Sequence, residues 1–403
     1  MSPCPEPVKS AAPIGRPRGR FAPVLACLLA VAGVFGLDAL LFRTGLYTAW
    51  LQPDSSTGLF EMILRREQRS QEKAGNNLVL TLGNSRFGYS RKVIDQLPVK
   101  PLYTFRDAGV AGTTPRSWYY MLREIDPTVR RYRAVVLGVD DYDDEDRYYN
   151  PSNDVRDLHY VIARLRLGDV PEFAQSFTDA DLRWAVWRGG LLKGIIFQSD
   201  ILEFLTNPLK RIAYVELCRQ GFAGWSYDFL DSTRSMTGLQ IDWSTYKITF
   251  PPGTDEDQRD SVSSWLAHGP EPQTGRLAAF RRAWFGRIID RYQGSPTRVI
   301  FMRLPRGPIP RPDGLVKKRS ASIREMAARP NVVLAPEHVF DALERPELFK
   351  DGMHLNREGI NRFSVMLAAE TARILGPPEH DTGQAKACPT GGACFSLPRQ
   401  DKR

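Results

Sequence analysis

Leu78-Val79-Leu80-Thr81-Leu82, followed by Gly83-Asn84-Ser85-Arg86, decides the fold of this 403-residue chain. A short apolar run cut off by glycine has the length and composition of a strand buried on both faces, as in a parallel sheet. Gly83 lets the chain turn sharply off that strand, and Ser85 then presents a hydroxyl at the sheet edge. Outward from it, similar runs recur at 102–105, 134–139, 298–304 and 332–334. Helical patterns lie between several of them. Thr114-Pro115 supplies a cap and a first-turn proline ahead of an amphipathic stretch. Residues 276–292 space Leu277, Phe280, Trp284 and Ile288 at helical intervals just before the 298 run. Strand and helix in alternation predict a layered α/β fold on a parallel sheet.

The rhythm breaks at 147–270, which is rich in Trp, Tyr, Phe and Arg with helical patches and is expected to be a large, mostly helical inserted subdomain. It would divide the α/β domain into a first part, 77–146, and a second, 271–377. Residues 378–403 turn to Pro, Gly and Thr with charges, the composition of a disordered tail. Cys388 and Cys394 in that tail are spaced to close a small disulfide loop or to stand as free thiols. No His/Cys cluster has metal-site spacing, so no metal is expected. The 55 basic and 46 acidic residues give a net +9 that is scattered rather than gathered into a patch, which argues against nucleic-acid binding.

At the N-terminus, residues 1–20 form a basic tail in which Lys9, Arg16, Arg18 and Arg20 face only Glu6. Residues 21–42, FAPVLACLLAVAGVFGLDALLF, carry Asp38 as their one charge and are long enough to cross about 30 Å of hydrocarbon. Basic residues ahead of the span place the N-terminus in the cytoplasm. A cleaved signal peptide is the rival, but no small-x-small site ends the apolar core. Residues 43–76 read as a membrane-proximal linker and helix.

Four segments carry the chemistry, and three of them close predicted strands, the edge at which open α/β sheets bind ligands. They are Gly83-Asn84-Ser85, the glycine-rich run from Asp107 to Thr114, Gly138-Val139-Asp140-Asp141, and Asp351-Gly352-Met353-His354. In this order they resemble the blocks of the SGNH/GDSL hydrolase superfamily, over roughly 77–141 and 297–372. Asn84 stands where the family usually has aspartate. The resemblance implies a flavodoxin-like three-layer α/β/α sandwich, with Ser85 as nucleophile, His354 as base and Asp351, about one helical turn earlier, as its orienting acid. It also implies oxyanion donors at Ser85 and Gly112. The family's third donor is an asparagine at the position of Asp140, and an ionised carboxylate there would oppose a developing oxyanion.

No cofactor is implied. Extracytoplasmic, membrane-anchored proteins with this pattern resemble accessory proteins of bacterial surface-polysaccharide O-acylation. The expected context is therefore the inner membrane, with the catalytic domain in the periplasm. Expected partners are a multi-span membrane acyltransferase and a glycan acceptor. A non-catalytic scaffold on the same fold and a free-standing periplasmic esterase or lipase are the alternatives. The aromatic insertion, including Trp184, Trp187, Trp225, Tyr227, Trp243 and Trp265, is expected to pack as core, with sugar stacking as its functional alternative. The acidic run 140–146 is expected to be a solvated loop, and Arg276–Arg291 a helix with a charged outer face.

Overall fold

The computed structural model describes residues 21–69, 77–97, 102–223, 232–267, 274–312 and 320–377. The basic tail, the C-terminal tail with Cys388 and Cys394, and Trp225 and Tyr227 lie outside them. Seven strands are described: β1 (Leu78–Leu82), β2 (Thr104–Asp107), β3 (Ala134–Val139), β4 (Gln240–Asp242), β5 (Lys247–Thr249), β6 (Arg298–Arg303) and β7 (Val332–Leu334). Five of them form one parallel sheet in the order β2-β1-β3-β6-β7, and β4 and β5 pair as a separate antiparallel hairpin. Four of the predicted runs fall where expected. The remaining strand, β2, begins two residues later than 102 because its ladder with β1 uses the charged pair Arg106 and Asp107. Arg106 is tolerated in this edge strand by an ion pair with Glu67 at 3.1 Å.

Among the described residues the first helix, α1 (Phe21–Asp38), runs on through a wide turn to Arg43, and Pro23–Arg43 is long and apolar enough to cross a membrane. Asp38 is not carried as an isolated charge in that helix. It is buried, and its carboxylate accepts the backbone N–H groups of Lys193 and Gly194 at 3.1 and 2.7 Å.

Alternation along the strands sends side chains to two cores. Leu78, Leu80, Val135, Leu137, Val299 and Phe301 face one side. There they meet α2 (Ser56–Arg69), which contributes Phe60 and Ile63. The short α3 (Arg91–Asp95) puts Ile94 on the other side with Val79, Val136 and Ile300. The first side is completed by Trp118 and Leu122 of α4 (Pro115–Ile125). Thr114 caps α4 by accepting the Arg116 N–H at 3.2 Å, as the Thr-Pro pair predicts.

The 147–270 stretch does not pack as one body. Its first helices are α5 (Ser152–Val161), α6 (Val170–Gln175), α7 (Ala180–Leu191), α8 (Gln198–Thr206) and α9 (Pro208–Ala223). Residues from α5, α6 and α7, with Phe197 just before α8, gather around Phe42 and Leu51 of the N-terminal segment, giving a third cluster. The later part, through α10 (Glu256–Trp265), instead joins the core on the α3 side through Met236, Leu239 and Val262. α11 (Arg276–Arg291) and α12 (Ser322–Met326) return to the α2 side, and α13 (Arg357–Leu375) closes the other. Trp284 of α11 is buried as expected of core, whereas Trp184 and Trp187 of α7 are exposed.

Candidate active site

Because the five strands are parallel, the loops after β1, β2 and β3 all leave from one edge. β1 lies between β2 and β3, so successive crossovers depart to opposite sides of it and leave a crevice at its carboxyl end. Ser85 stands there. Phe87 folds back beneath the turn, and a Cβ on either Gly83 or Gly138 would overlap its side chain. Both glycines are thus required for the ends of β1 and β3 to close around one ring. The loop after β2 is tied to the same turn. The Val110 N–H donates to the Gly83 carbonyl at 3.2 Å, and the Thr113 hydroxyl lies 3.3 Å from that oxygen.

His354 and Asp351 arrive from the far end of the chain in a tight turn rather than on a helix. This differs from the expected helical spacing, and the side chain of Asp351 builds the turn itself. Its Oδ1 accepts the N–H groups of Met353 and His354 at 2.8 and 2.7 Å. Its Oδ2 lies 2.9 Å from His354 Nδ1, and His354 Nε2 lies 2.9 Å from Ser85 Oγ. All three side chains are half-buried. Burial alone would raise the Asp351 pKa, but the His354 ring and the two backbone N–H groups outweigh it and hold the carboxyl below its ordinary value. Two residues later Asn356 caps α13, accepting the Gly359 N–H at 3.0 Å.

α10 buttresses the turn. Ser261 Oγ accepts the Gly352 N–H at 3.1 Å, and Gln258 Nε2 donates to the Lys350 carbonyl at 2.6 Å. A Cβ on Gly352 would collide with the α10 backbone, so glycine is needed for this approach.

Among the described residues no protein acceptor receives the backbone N–H of Ser85 or of Gly112. They lie in the loops after β1 and β2, Gly112 with the left-handed φ of +71° that favours glycine and with the Arg156 side chain against its Cα. Asp140 is bound differently from what its place in the third block suggests. Arg86, the residue after Ser85, forms an ion pair with it and donates to the carbonyl oxygens of Pro305 and Arg306 at 2.6 and 3.2 Å. The Arg86 guanidinium also lies 4.8 Å from the ring centre of Trp265 at the end of α10. The Asp140 carboxylate is therefore matched by a cation, and unlike an asparagine its side chain has no N–H to donate. Arg86 was not singled out from the sequence. Its only signal there is adjacency to Ser85, since its partners lie 54 and more residues away.

The acidic run that continues from Asp140 is not a solvated loop. Asp144 and Glu145 are buried; Asp144 pairs with Arg281 at 3.0 Å and accepts from Ser320 and Ser322. Arg281 is correspondingly buried on a helix expected to present its arginines outward. Each charge is tolerated because the fold supplies its opposite. Among the described residues no group of His, Cys, Asp and Glu is arranged to hold a metal ion. A cavity of about 60 Å³ beside the crevice includes Asn84, Thr113 and Asp140 in its lining but neither Ser85 nor His354. That volume holds a few waters and no sugar ring.

Asp107, at the end of β2, is a buried carboxyl under strain. Burial pushes its pKa up to about 7, against the Arg66 charge and the Gly109 N–H, which favour the carboxylate. A raised carboxyl pKa stabilises the fold below the ordinary aspartate value, and that contribution is lost as pH rises through about 7. Asp107→Asn, which keeps an acceptor for Gly109, is therefore expected to gain about 4 kcal/mol over the parent at pH 8 and less than about 1 kcal/mol at pH 4. Urea midpoints at the two pH values measure it.

Comparison with known proteins finds no matching family model and no matching curated protein.

Proposed function

We propose that this chain is a membrane-anchored serine acyltransferase or acylesterase of SGNH/GDSL type, acting on O-acyl groups of a cell-surface glycan. The observation that carries the proposal is the continuous relay from Asp351 through His354 to Ser85, both contacts at 2.9 Å. Nucleophile, base and orienting acid in hydrogen-bond contact are what acyl transfer through serine requires. The strand order, which renumbered within the sheet is 2-1-3-4-5, supports a flavodoxin-like sandwich.

His354 Nε2 takes the Ser85 proton as Oγ attacks the ester carbonyl. The N–H groups of Ser85 and Gly112 receive the oxyanion. Collapse expels the alcohol, which takes its proton from His354 and leaves an acyl-serine. Water or a sugar hydroxyl then gives its proton to His354 and attacks, releasing Ser85. Asp351 keeps the Nδ1–H tautomer and stabilises the imidazolium. The nearby cavity is too small for a glycan, so the acceptor is expected to lie along the open sheet edge.

Retention of α1 as an anchor is supported by its docking. Asp38 bonds to the 193–194 turn, and Arg43 donates to the Gly190 carbonyl at 2.6 Å. A segment tied into the folded domain is a poor substrate for removal as a signal peptide. In this reading the N-terminus is cytoplasmic, the folded domain lies in the periplasm against the inner membrane, and a multi-span acyltransferase delivers the acyl group. Asp140 in place of an asparagine donor favours the scaffold alternative, because two backbone donors remain where three would serve.

The test is acyl release and transfer by the full-length protein in detergent, offered 4-nitrophenyl acetate with an oligosaccharide acceptor. Slow ester cleavage and acylated acceptor, both absent in Ser85→Ala, are expected. Fast hydrolysis without acceptor would indicate a free-standing esterase. Folded protein with no turnover, with or without the membrane partner, would leave the scaffold.

A further inference from the structure

Where α1 ends, a second cavity of about 310 Å³ opens; its lining includes Phe42, Arg43, Arg164, Arg166, Leu167 and Lys193 and shares no residue with the serine site. We infer that this cavity binds the phosphate headgroup of an anionic membrane phospholipid whose acyl chains lie along α1. The inference rests on the anchor reading of α1 proposed above.

Charge is the first argument. The lining holds four cationic side chains, Arg43, Arg164, Arg166 and Lys193, and one acidic residue, Glu124. Arg164 is matched by a two-pronged pair with Glu61 at 2.5 and 2.6 Å, and Arg166 by Glu124 at 3.0 Å. Arg43 and Lys193 have no such match among the described residues. Arg43 donates to the carbonyls of Gly190 and Leu191, and Lys193 Nζ to the carbonyl of Ala163. The Asp38 carboxylate is taken up by the backbone N–H groups of Lys193 and Gly194. Lys193 is buried, and desolvation together with Arg43 and Arg164 brings its pKa down to about 8 despite Glu61 and Asp38. Two unmatched cations at one cavity make a site for an anion with several acceptor oxygens.

Position identifies the anion's source. The 21 residues of Pro23–Arg43 rise about 30 Å at helical pitch, the thickness of the hydrocarbon layer, so Arg43 sits at headgroup depth. Exposed apolar side chains lie on the cavity lining and on the helix that meets Arg43. Leu167 on its lining is 56% exposed, and on α7, whose end holds Arg43, Trp184 and Leu191 are 60% and 47% exposed. An exposed tryptophan on the helix that holds Arg43 suits the membrane interface, where indole rings settle at headgroup level. A soluble phosphate would find the same cations but would leave these apolar groups in water.

The experiment is native mass spectrometry of the full-length protein released from neutral detergent, with phosphatidylglycerol or phosphatidylcholine added at equal concentration. A retained phosphatidylglycerol, at least tenfold preferred, is expected. Removing one cation should weaken it about fivefold. Lys193→Met tests the buried charge; Arg166→Glu, on an exposed side chain, keeps the test valid if Lys193→Met does not fold. Equal retention of the two lipids, or phosphatidylglycerol binding unchanged in a folded variant, overturns the proposal. So does displacement of the lipid by millimolar inorganic phosphate, which would assign the site to a soluble anion. The same spectra give the intact mass, so loss of residues 21–43 in cells would sink the anchor reading separately from any lipid preference.

Discussion

Ser85→Ala is expected to lower kcat/KM for acyl esters by roughly 10⁴-fold or more, about 5.5 kcal/mol of transition-state stabilisation. The thermal midpoint should stay within a few degrees, because Ser85 is half-buried and among the described residues its side chain hydrogen-bonds His354 alone. His354→Ala should cost as much as Ser85→Ala, and the double variant little more than either. Groups that act in one relay are strongly non-additive: once the proton has no acceptor, the hydroxyl is a poor nucleophile, and without the hydroxyl the base has nothing to deprotonate. Asp351→Asn should be milder in stability than in rate. An asparagine oxygen can still accept the N–H groups of Met353 and His354, but the amide does not stabilise the imidazolium. Steady-state kinetics on one activated ester across the four variants, with melting curves alongside, checks the set. Independent, multiplying losses would contradict a relay.

Arg86→Met is expected to cost about 3 kcal/mol of stability, the low end for breaking a buried pair, since Asp140 retains some contact with solvent. The guanidinium is 3% exposed and the Asp140 carboxylate 15%. Methionine fills part of the volume but abandons Asp140, both carbonyl acceptors and the Trp265 ring. Adding Asp140→Asn to Arg86→Met removes the orphaned charge and should recover about half the loss. If the pair acted only through packing, the second substitution would recover nothing. Activity should also fall in Arg86→Met, because an unpaired carboxylate would then stand beside the developing oxyanion. Urea denaturation and ester kinetics on the single and double variants separate the two effects.

Local chemistry made the scaffold of this site legible. Continuous apolar runs marked four strands at their true positions, and glycines at 83 and 138 marked the turns, because buried parallel strands leave a pattern that needs no knowledge of partners. β2 was displaced in the sequence reading because Arg106 and Asp107 violate that pattern, and Glu67, which permits Arg106 there, comes from a helix 39 residues earlier. Ser85, Asp351 and His354 stood out as residue types at a suggestive spacing. Their assembly across 269 residues is a property of the fold. What escaped entirely was compensation at a distance. The acidic run around Asp144 read as solvated because Arg281 and Ser322 lie more than 130 residues on. Asp140 read as an obstacle because nothing local shows that Arg86 turns toward it. The role of α10 was hidden likewise, since a helix in an irregular stretch gives no hint that it braces the turn carrying Asp351 and His354.

The most direct measurement is labelling of the full-length protein with a fluorophosphonate, followed by peptide mapping, with His354→Ala run in parallel. The relay predicts a single adduct on Ser85 that disappears, or forms at least a hundredfold more slowly, in His354→Ala. A folded parent protein that forms no adduct, or one that labels Ser85 equally well without His354, would contradict it.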